Sequence, residues 1–98
     1  MPRYVVQRSF SVGEDRMPEI GRRSRRILEK EFPDVTWLHS HVTLNEEGNV
    51  RTFCIYEAPN EDAIYQHAES LGYHIVDAIF EVAGDVTPED FPLVEEPA

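Results

Sequence analysis

One cysteine, one tryptophan and, beyond Glu31, a single Lys or Arg are what this 98-residue chain has least of. Cys54 has no second thiol to pair with, so no internal disulfide forms, and a reducing, cytoplasmic setting is the expectation. No apolar run approaches the ~20 residues that cross a bilayer, and Met1–Phe10 lacks the apolar stretch of a signal peptide. The Gly-rich phosphate loop, C-x-x-C, H-E-x-x-H and G-x-S-x-G are all missing, which argues against a nucleotide-dependent or triad enzyme. Nineteen acids against nine bases leave a net charge of −10, so neither nucleic acid nor an anionic membrane is an expected partner.

What is present suits one small domain. Hydrophobic residues make up 41% of the chain, enough for a single core. The charge is unevenly spread: Met1–Glu31 carries eight bases and five acids, Phe32–Ala98 one base and fourteen acids. Either the basic segment lies against the acidic remainder, within a chain or across a dimer, or it is a solvated helix face.

Arg3–Phe10 reads as a strand, with Tyr4, Val5 and Val6 apolar in succession. Met17, Ile20, Ser24, Ile27, Leu28 and Phe32 then recur at helical spacing, with Pro18 in the first turn and Pro33 as the stop. Val35–Leu44 and Val50–Ala58 form a hairpin about Asn45–Asn49, with Gly48 in the left-handed position. Asn60 caps a second helix that turns Ala63, Ile64, Ala68 and Leu71 inward and ends at Gly72. Ile75–Val82 is the fourth strand. The chain therefore divides into a domain over residues 1–83 and an acidic, proline-bearing tail over 84–98, with a short segment at Phe91–Val94.

The order β-α-β-β-α-β is the ferredoxin-like arrangement of the α+β class: a four-stranded antiparallel sheet with both helices on one face. The other face would be bare and apolar, which predicts a homodimer packed sheet to sheet, as in dimeric α/β-barrels.

The hairpin loop sets His41 opposite Phe53, His39 opposite Ile55 and Trp37 opposite Glu57. One face then holds Trp37, His39, His41, Phe53, Ile55 and Glu57. Two imidazoles with Glu57 on the diagonal suit a divalent transition metal, nickel, copper or zinc, and residue type alone does not choose among them. The alternative is that one histidine is hydrogen-bonded within the core or a dimer interface and the other solvated. His67 reads as a boundary residue of the second helix, His74 as a surface residue, and Cys54 as core. Asp77 and Glu81 share a face with Ile75 and Ile79, at an edge or in a polar pocket.

The segments PRYVVQRSF (Pro2–Phe10), TWLHSHVT (Thr36–Thr43) and FCIYEAPNEDAIYQHA (Phe53–Ala68), with Gly72, resemble the DUF4242 family of small bacterial proteins, some described as nickel-binding or nickel-responsive. The resemblance runs from Pro2 to about Val82. It implies a ferredoxin-like homodimer that binds Ni2+ near the dimer surface, for sequestration rather than catalysis. Trp37, His39, Ser40, Cys54, Tyr56, Glu57 and His67 match the family pattern, whereas His41 stands where an aromatic is usual. The resulting expectation is a metal site drawn from His39, His41, Glu57 and His67. The competing one is a dimeric α/β-barrel enzyme of the cofactor-independent monooxygenase, isomerase or cyclase type. That enzyme would act on a small apolar molecule, with His39, Tyr56 or Asp77 as acid–base groups.

Overall fold

A computed structural model describes residues 1–94. Strand β1 (Arg3–Gly13) leads through a 3-10 turn into helix α1 (Met17–Glu31). The hairpin strands β2 (Thr36–Leu44) and β3 (Asn49–Glu57), helix α2 (Glu61–Leu71) and strand β4 (His74–Glu81) follow. The sheet is antiparallel throughout with strand order β2-β3-β1-β4, the ferredoxin-like topology expected.

Local chemistry sets the boundaries. Asn60 Oδ1 accepts the Ala63 N–H at 3.0 Å and caps α2, and Gly72, at φ +72°, ends it. Gly48, at φ +82°, closes the β2–β3 loop. The Asn45 N–H donates to the Asn49 carbonyl at 2.9 Å, as the loop reading required.

Alternation along β1 and β3 divides the sheet into two faces. Tyr4, Val6, Arg8 and Phe10 of β1 and Val50, Thr52, Cys54 and Tyr56 of β3 are buried, and they meet Ile20, Ile27, Leu28, Ile64 and Leu71 of the helices. Both helices therefore cover one face. Across the other face run two cross-strand rows: His39–Ile55–Val5–Phe80, and His41–Phe53–Gln7–Ala78.

Two bulges shift the expected pattern at the sheet edges. In β2 the pairing His39–Ile55 and His41–Phe53 holds, but Leu38 is an extra residue, so Trp37 pairs with Tyr56 and Thr36 with Glu57. Trp37 thereby leaves the histidine face; its Nε1–H donates to Ser40 Oγ at 2.8 Å on the helix side. In β4 the register slips between Val76 and Ala78, which separates residues expected on one face. Ile75 lies opposite Ser9 on the open face and is 66% exposed, whereas Ile79 packs into the core. Asp77 accepts a 2.5 Å hydrogen bond from Ser9 Oγ, and Glu81 pairs with Tyr4.

The basic face of α1 is largely solvated. Arg25–Glu29 and Arg16–Glu19 are surface pairs. Arg23 donates to the Ser70 and Leu71 carbonyls, both at 3.2 Å, and so binds the C-terminal end of α2. Among the described residues, one ion pair, Arg3–Asp85, joins the basic N-terminal segment to the acidic remainder. Past β4 the chain is exposed and forms a 3-10 turn at Pro88–Asp90, three residues before the expected start at Phe91. The tail's last four positions lie outside the described residues.

Candidate functional site

The sequence pattern singled out four histidines, and the fold gives them three different environments. His39 and His41 project from β2 onto the open face, both exposed, with ring centroids 5.3 Å apart and ring planes at 86°. Same-face neighbours on one strand sit this close because the side-chain period is two, and the bulge falls before His39 rather than between the pair. Glu57 lies on the same face one pairing row away, opposite Thr36 on one side and Arg3 on the other. Among the described residues, no three His, Cys, Asp or Glu side chains are gathered to hold a metal ion within one copy. A metal bound here would take the imidazole pair and complete its coordination from water or from another chain.

His67 is on the opposite side of the sheet. It is fully buried, so it is a core residue rather than a boundary one, and the fold separates it from His39, His41 and Glu57. Its Nε2 lies 3.1 Å from Ser24 Oγ and its Nδ1 3.3 Å from Arg8 Nη2. Arg8 has only N–H donors there, so Nδ1 accepts and Nε2 carries the proton toward Ser24. Burial, and then the Arg8 charge, hold the imidazole down at a pKa of about 3. Both nitrogens are occupied within the fold.

His74 is half-buried rather than a surface residue. Its Nδ1–H donates to the Gly72 carbonyl at 2.6 Å, and its ring stacks on Phe10 with centroids 4.7 Å apart. Burial lowers its pKa as well. Cys54 is buried, as expected of a core thiol, and its Sγ–H donates to Thr52 Oγ1 at 3.3 Å.

The three groups considered for acid–base work do not share a cavity. His39 and Asp77 are exposed on the open face. Tyr56 is buried beneath the helices, where desolvation pushes its hydroxyl pKa up. The enzyme reading gains no support from this arrangement.

Arg8 was not singled out by the sequence. It is 2% exposed, and its guanidinium lies 5.1 Å from the centre of the Tyr56 ring. The signal was present: Arg8 is in phase with Tyr4, Val6 and Phe10 on the buried side of β1. Beside it, between α1 and the sheet, opens a cavity of about 440 Å3 whose walls include Met17, Ile20, Trp37, Thr52, Cys54 and Tyr56.

Comparison with known proteins bears on fold and family. The solution structure of the C-terminal domain of the MgtC protein from Mycobacterium tuberculosis is similar in fold, with a TM-score of 0.59 over 86% of this chain and 88% of that one, at 11% identity. No curated protein matches. The family described as nickel responsive protein SCO4226-like matches residues 4–82, which take in both helices and all of the sheet but its first residue, Arg3. With four-fifths of its length inside that match and the topology expected of it, the chain is a member of the SCO4226-like nickel responsive family.

Proposed function

We propose that this chain is a small transition-metal-binding protein, with nickel as the metal, that works as a homodimer joined through the open sheet face. The observation that carries the reading is the exposed His39–His41 pair, two imidazoles 5.3 Å apart on one strand face. Imidazole is a good donor for nickel, and neither ring is committed to an internal hydrogen bond among the described residues. The surrounding face supports the dimer. Val5, Phe53, Ile55, Ile75 and Phe80 lie on it with no layer of their own chain above them, and Phe80 is 61% exposed. A second copy packed on this surface would bury those side chains and bring another pair of histidines toward the first. Glu57 is the nearest acidic group on the face and would favour a cation there.

Calorimetric titration of the purified apo-protein with nickel chloride tests the site. We expect saturable binding, weakened more than about 100-fold by His39→Ala combined with His41→Ala and several-fold by Glu57→Gln. Full affinity in the double variant would remove this site from consideration. Sedimentation velocity at low micromolar concentration tests the dimer, and a single stable subunit would count against it.

A further inference from the structure

On the covered side of the sheet, Arg8 is the largest of the fully buried side chains, and none of the ion pairs among the described residues includes it. Among the described residues its side-chain hydrogen bonding is limited to the 3.3 Å contact with His67 Nδ1, and its Nε is buried without a partner. The Tyr56 ring offers partial compensation through its π face. A guanidinium is always charged and carries five donors, so a buried one without an anion is an unbalanced arrangement. The cavity beside it is otherwise dominated by carbon: Phe10, Met17, Ile20, Val42 and Leu71 contribute to its walls along with Trp37. Glu14 also lines it, but that carboxylate is exposed and forms no ion pair with Arg8.

We infer that the helix-side cavity binds a small organic monocarboxylate, its carboxylate paired with Arg8 and its apolar body held between α1 and the sheet. The charge count favours one negative charge over two: a phosphate dianion would leave an excess charge in the same apolar surroundings. The planar carboxylate also matches the guanidinium fork. Thr52 belongs to the same lining, and its Oγ1, which accepts from Cys54 Sγ–H, keeps its own hydroxyl hydrogen to donate to a second carboxylate oxygen. The volume of about 440 Å3 is ordinary for a small-molecule site. This site is independent of the nickel reading, because it lies on the other side of the sheet and uses none of its residues.

Trp37, the one tryptophan of the chain, lines the cavity and supplies the readout. Its fluorescence would be followed while the full chain is titrated with octanoate, 3-phenylpropanoate, octanol and inorganic phosphate. We expect saturable changes with the two carboxylates, roughly ten- to a hundred-fold weaker binding of octanol, and no binding of phosphate. Arg8→Met should abolish the preference for carboxylate over alcohol. Gly21→Leu provides the control should that variant fail to fold. A side chain at Gly21 meets nothing within 4 Å of its first carbon, and the residue lines the cavity, so leucine there starts into open space at the cavity wall. It should prevent binding of both carboxylates and of octanol in a folded protein. Three outcomes each overturn the inference: no saturable change with either carboxylate, equal affinity for octanol, or carboxylate binding unaffected by Gly21→Leu. Phosphate binding instead would show that the buried charge serves an inorganic anion, and would overturn it also.

Discussion

The two faces of the sheet put the same residue type to opposite chemical uses. His67, under the helices, is held neutral by burial and by the cation beside it, with both nitrogens bonded within the fold. His39 and His41, on the opposite face, stay exposed, with their rings 5.3 Å apart. What separates a structural histidine from a candidate ligand here is which side of the sheet it occupies: His67 is turned inward from α2, whereas His39 and His41 leave β2 on the open face.

Truncation of a large apolar residue on each face should break this symmetry most strongly. Ile64→Ala, in the covered core, is expected to cost about 2–4 kcal/mol in urea unfolding. Phe80→Ala, on the open face, should cost less than about 1 kcal/mol in a dilute monomer yet weaken self-association measured by sedimentation. Equal unfolding costs at both positions in a dilute monomer would mean that the open face is not open.

Acid should sharpen the contrast next. The folded-state pKa of His67 is about 3, below the ordinary value of 6.5, so the unfolded chain binds the proton more readily between those limits. Its contribution to stability is full above about pH 6.5 and is lost as the pH falls toward 3. Between pH 7 and pH 5 this amounts to roughly 2 kcal/mol, an order-of-magnitude figure. His74 acts in the same direction. The difference in urea-unfolding free energy between the native chain and His67→Gln should therefore shrink on acidification. A constant difference across that range would show that His67 is not desolvated.

The smallest effect belongs to a position that touches neither face. Asn60→Ala should cost about 1 kcal/mol by removing the cap on α2, without altering nickel titration or self-association. A loss of either would mean that the start of α2 communicates with the open surface.

Much of the fold was legible because periodicity and punctuation agreed. The α1 stripe from Met17 to Phe32, the Asn60 cap, Gly72 and the Gly48 loop each fell where local chemistry required. The pairing of His39 with Ile55 and His41 with Phe53 followed from the loop alone. Legibility failed where one extra residue broke a period of two. The bulge at Leu38 moved Trp37 to the helix side, and the one at Asp77 sent Ile75 and Ile79 to opposite faces. Neither carries a glycine or proline that would have marked it. Arg8 was overlooked for a different reason: arginine is ordinarily a surface residue, and its correct phase between Val6 and Phe10 weighed less than its charge.

Those same two bulges have a consequence for growth of the sheet from its edges. The outermost strands, β2 and β4, are where another molecule would add by main-chain bonding and build a ribbon or fibril. Each carries a kink that interrupts the ladder a newcomer must match. Propagation along the strand-to-strand direction is thus discouraged at both margins of the sheet.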